Sequence, residues 1–84
     1  MNHEERSKRD IDKLEKLLAK FKEEGLDGKH HEVYSWAENY WKDALHFFKK
    51  GDHFSAFGCA NYAYGMLDSI LMTEGKKKEC GCCD

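Results

Sequence analysis

The sequence predicts an all-α fold, an antiparallel up-down-up three-helix bundle over residues 1–75 with a Lys/Cys-rich tail over residues 76–84. Three observations predict it. Apolar residues recur at helical period in three segments of similar length. Proline is absent and 36% of the residues are charged, a composition that favours helix over a loop-rich disulfide scaffold. Glycines and capping residues stand at the segment boundaries.

The first helix is expected over about residues 3–24. Asn2 has the form of an N-cap, with Glu5 at the third helical position. Ile11, Leu14, Leu18 and Phe21, with Leu17 beside them, make a narrow apolar stripe. Charged residues of alternating sign fill the remainder, and Glu4–Lys8 and Glu5–Arg9 are spaced for i,i+4 pairs. Gly25 supplies the stop, and GLDGKH reads as a short turn.

The second helix is expected over about residues 30–50, with Val33, Ala37, Tyr40, Trp41, Ala44, Phe47 and Phe48 on one side and Tyr34, Trp36 and Leu45 flanking them. An arc that wide can touch two neighbours, as the middle helix of three must. Gly51 ends it and Asp52 caps the next. So short a joint makes the two helices antiparallel. The third helix is expected over about residues 53–74, centred on Ala56, Ala60, Ala63, Leu67, Ile70 and Leu71, and its alanines allow close approach.

Eighty-four residues make one small domain, a size at which self-association is a common source of added stability. The charged start MNHEERSKRD does not have the pattern of a secretory leader. The low-charge run 54–73 carries Asn61, Asp68 and many small residues, which argues against a membrane span. A cytoplasmic setting with reduced cysteines is therefore expected. A net charge of −2 with mixed signs gives no nucleic-acid footprint.

Tyr40-Trp41-Lys42-Asp43-Ala44, Phe48-Lys49-Lys50-Gly51-Asp52, Ala56-Phe57 and above all NYAYGMLDS, residues 61–69, resemble the family of short archaeal proteins grouped as domain of unknown function 357. The resemblance covers about residues 7–73 of the chain and leaves the cysteine tail outside it. It implies a closed three-helix bundle, an archaeal source and a cytoplasmic setting, and it implies no activity.

The third helix carries the main functional expectation. Ser55, Gly58, Tyr62, Gly65 and Ser69 fall within about 80° on a helical wheel, with Phe54 and Met72 at the edge. A solvated face normally carries lysines and glutamates. Small uncharged residues in a row point instead to a second buried face, most simply a homodimer interface. A second expectation is a small polar pocket formed by Trp41, Asn61, Tyr64 and Asp68, set against a purely structural hydrogen bond of Asp68.

Other features weigh less. Asp52-His53-Phe54-Ser55 has acid, histidine and hydroxyl, but neighbours at a helix start cannot align as a triad, and an N-cap accounts for Asp52. Asp43 and His46 read as a surface pair, Lys76–Lys78 as cations suited to the end of a helix dipole, and Cys59 as a small buried hydrophobe. Cys80, Cys82 and Cys83 supply three thiols at spacing unlike the usual C-x-x-C. His30 or His31, at the same pole of the bundle, would complete a tetrahedral zinc site.

The sequence thus predicts a non-enzymatic interaction and self-association module, a homodimer through its third helix that also meets an unknown protein partner. It predicts no nucleic-acid or membrane partner, and no cofactor beyond zinc at the tail. The alternatives are a small metal-binding protein using that tail and a nucleic-acid-associated helical domain. An RNase of that last kind needs an exposed arginine with four to six residues between it and a histidine, and the third helix has no arginine.

Overall fold

Asn2 Oδ1 accepts a hydrogen bond from the Glu5 backbone N–H at 2.8 Å, which fixes the start of the first helix. The structure, a computed structural model, describes residues 2–75. Among these residues there are four helices and no strand: α1 (His3–Glu23), α2 (Leu26–Lys29), α3 (His31–Lys49) and α4 (His53–Thr73). The long helices lie within a residue or two of the expected spans.

The joint between α1 and α3 differs from the expected turn. Gly25 takes the left-handed conformation, φ +73°, that ends α1, and one turn of helix, α2, follows at once. Leu26 explains it. Its side chain is buried at the end of the core, and the His30 N–H closes the turn on the Leu26 carbonyl at 2.8 Å. An apolar side chain drawn inward thus organises a segment whose two glycines suggested only a reversal of direction.

Gly51, φ +85°, ends the next joint, and Asp52 accepts from the Ser55 backbone N–H at 3.1 Å as the cap of α4. On α1, Lys8 reaches forward to Asp12 at 2.9 Å instead of back to Glu4.

The long helices α1, α3 and α4 contact one another pairwise around a single core. Helix α1 supplies most of its large side chains: Ile11, Leu14, Leu17, Leu18 and Phe21 are all buried. Helix α4 meets them with Ala56, Ala60, Ala63, Leu67 and Leu71, and α3 with Tyr34, Ala37 and Ala44. Small residues on α3 and α4 share the core with large ones on α1. Tyr34, expected only as a flank, is buried and stacks on Phe21 with ring centres 6.2 Å apart. Trp36, on the opposite flank, is exposed.

Ring contacts record how the helices run past each other. Arg6 lies over the Phe57 ring and Lys13 over the Tyr64 ring, so α1 and α4 advance together. Tyr40 meets Tyr62 and Phe48 meets His53, so α3 and α4 advance in opposite senses. No helix among the described residues is long and apolar enough to cross a membrane.

Candidate functional site

Helix α4 buries its alanines and leucines, and the opposite side of the same helix faces outward. Phe54 is 76% exposed, Tyr62 60% and Met72 41%, and Gly58 and Ser69 are exposed between them. Ser55 and Gly65 are half-buried. From Phe54 to Thr73 the only charged residue is Asp68, and it is buried. The outer face of α4 is therefore without charge over about 30 Å, at 1.5 Å per residue. Ser69 and Thr73 turn their hydroxyls back onto the Met66 and Ser69 carbonyls of their own helix, which makes the face less polar still.

The glycines of this face serve no internal packing. A Cβ placed on Gly58 or Gly65 would meet nothing within 4 Å. Neither has a positive φ, so neither is held by a backbone requirement. Each still carries the destabilising cost of glycine in a helix, about 0.5–1 kcal/mol relative to alanine.

Beside this face, the α3–α4 seam opens into a groove of about 300 Å³ lined by Trp36, Asn39, Tyr40, Asp43 and Tyr62. The Tyr40 and Tyr62 rings meet at 5.2 Å. Sequence reasoning placed Tyr40 in the core arc and missed the groove. The signal was Trp36, an aromatic at the outer border of that arc.

The four residues of the expected polar pocket occupy different surroundings. Asn61 is exposed and Asp68 is buried and engaged. Tyr64 is half-buried in the α1–α4 seam, under Lys13. Trp41 is half-buried, and its indole N–H has no hydrogen-bond partner among the described residues. Asp43 and His46 form no ion pair. Cys59 is half-buried against the core, where burial, then Asp43 and Asp52, push its thiol pKa up and favour the protonated form.

Of the expected metal ligands, Cys80, Cys82 and Cys83 lie outside the described residues. His31 is exposed, and His30 Nε2 lies 3.0 Å from Glu74 Oε1. Lys29 Nζ also reaches Glu74, at 2.9 Å. Among the described residues no group of three His, Cys, Asp or Glu side chains is placed to hold a metal ion.

Residues 8–74 match the family described as Protein of unknown function (DUF357). The chain belongs to that family. No curated protein and no solved structure matches the chain. The DUF357 match runs from the first turns of α1 to the end of α4, so the neutral face and both seams lie inside it.

The Glu74 clamp ties the joint after α1 to the end of α4. Hydrogen bonds from Lys29, then His30, hold the Glu74 carboxyl below the ordinary glutamate range. A carboxylate depressed in the folded state adds stability at pH above its unfolded pKa, and that stability is lost as pH falls through the folded value. Glu74→Gln is therefore expected to lower stability at neutral pH, where the charged clamp contributes, and to flatten the acid limb of the curve below about pH 4.5, the unperturbed glutamate range, so that the two proteins converge at low pH. Urea midpoints of the two proteins across pH 3–7 check this; parallel curves would show that the clamp is not linked to folding.

Proposed function

We propose that this DUF357 protein is a non-enzymatic interaction module that pairs with a second copy of itself through the outer face of α4. The observation that carries the reading is that this face lacks charge while it is exposed. Phe54, Tyr62 and Met72 present apolar surface, and Gly58 and Gly65 leave room for a close backbone approach that no described residue uses. Two like helices meeting on such a strip bury it without a penalty for desolvating ions. A single helix face buries less than the roughly 1,200–2,000 Å² of a standard interface, so the α3–α4 groove with Trp36 belongs to the same contact.

The reading includes one domain over residues 1–75, arranged as an up-down-up bundle. Its support is the order of ring contacts, parallel for α1 with α4 and opposed for α3 with α4. It also includes a cytoplasmic setting in an archaeal cell, in keeping with the family resemblance.

Sedimentation velocity tests the pairing. A dimer is expected at tens of micromolar, dissociating on dilution, and a monomer throughout that range would overturn the proposal.

A further inference from the structure

We propose that the α1–α4 seam is a second docking surface, and that its occupant is an acidic amphipathic segment of another protein. In the sequence the charges of α1 alternate in sign. In the structure they separate. By the 100° rule, Arg6, Arg9, Lys13, Lys16 and Lys20 fall on one arc of about 80°, at successive spacings of three and four residues. They form a straight ridge about 21 Å long at 1.5 Å per residue, along the side of α1 next to α4.

Two of these cations are held in place by α4. Arg6 lies 4.7 Å from the centre of the Phe57 ring, and Lys13 lies 4.9 Å from that of Tyr64. The Lys8–Asp12, Lys29–Glu74 and His30–Glu74 ion pairs use none of the five.

The seam beneath the ridge is apolar. Leu17, Tyr64 and Leu71 line a groove of about 250 Å³ together with Lys13, Lys16 and Lys20. An apolar floor under an ammonium rim calls for a ligand with both characters: apolar side chains that enter the groove and carboxylates that meet the rim. A helix with acids at three- and four-residue steps matches the spacing of the ridge, because both repeat with the same rise. A nucleic-acid backbone fits less well. Glu5 and Glu23 border the arc on the wheel, so a polyanion broader than one helix meets repulsion there.

Fluorescence anisotropy decides it, with three labelled probes against the full-length protein. One is a synthetic peptide of about 15 residues, long enough to follow the ridge as a helix, with a leucine stripe and glutamates at three- and four-residue steps. The second is the same composition scrambled. The third is single-stranded oligonucleotide of equal charge. Saturable, salt-weakened binding of the first probe is expected, at least fivefold tighter than either other. The triple variant Lys13→Gln/Lys16→Gln/Lys20→Gln should weaken it about tenfold, as three exposed ion pairs together allow. The control Lys8→Gln/Lys22→Gln/Lys42→Gln, which removes equal charge elsewhere, should leave it within twofold.

Equal binding of the scrambled peptide, tighter binding of the oligonucleotide, or an equal loss in the control would overturn the proposal. The first two arms use unaltered protein, so the decision does not depend on how any variant folds. The pairing through α4 is separate: Gly58→Arg should abolish the dimer and leave peptide binding intact.

Discussion

Phe21→Ala is expected to lower folding stability by about 3–5 kcal/mol. Phe21 is fully buried and is the largest such side chain in the core. It stacks on Tyr34 of α3 where Leu26 closes the core. Truncation removes the ring on which Tyr34 stacks and leaves a cavity in the core between α1 and α3. Small domains have a total stability of about 0.05–0.15 kcal/mol per residue, so such a loss removes much of the folded state of an 84-residue chain. Urea denaturation should show the midpoint move toward zero denaturant with the slope unchanged. A loss below about 1 kcal/mol, smaller than core truncations give, would mean that this end of the core is not packed as described.

Replacing Gly58 and Gly65 together by alanine is expected to act in opposite directions on fold and assembly. No described residue obstructs the added methyls. The isolated chain should gain about 0.5–1 kcal/mol at each site, because alanine loses less conformational freedom than glycine on entering a helix. If a second α4 packs against the same strip, the methyls hold the two backbones apart, and dimer affinity should fall at least tenfold. Thermal melts at low concentration read the first effect, and sedimentation the second. A stabilised chain with unchanged self-association would place the contact elsewhere, and a destabilised chain would show that the glycines have an internal role.

The long helices were legible in the sequence because apolar period, Asn2, Asp52 and the glycines at 25 and 51 agree with one another. Agreement between local signals and burial is what makes boundaries readable. The short α2 was not legible. Its helical turn depends on Leu26 finding the end of the core, a tertiary event, while local propensity in GLDGKH points to a loop. The border residues of α3 were ambiguous for a related reason. Tyr34 and Trp36 flank the same apolar arc, and only the positions of α1 and α4 decide that Tyr34 is buried and Trp36 exposed.

The candidate surfaces divide the same way. The neutral strip of α4 can be read from one helical wheel, because it is a property of a single helix. The α1–α4 groove needs Leu17 and Leu71 brought together from opposite ends of the sequence. The cation ridge was within reach of a wheel, but reading the charges along the chain concealed their separation around the helix.

The unequal sharing of core volume has a kinetic meaning. Helices α3 and α4 are neighbours in sequence and need only a short loop to meet. Yet the apolar residues they bury completely are mostly alanines, Ala37, Ala44, Ala56, Ala60 and Ala63, with Leu67 and Leu71, so their hairpin closing alone leaves the large side chains of the core still to be covered. The reward comes when α1 brings Ile11, Leu14 and Phe21 onto them. Docking of α1 is then the committed step of folding, and its release the first event of unfolding. Stopped-flow measurements on Leu14→Ala should show most of its lost stability as slower folding; a change confined to the unfolding rate would assign the nucleus to the hairpin instead.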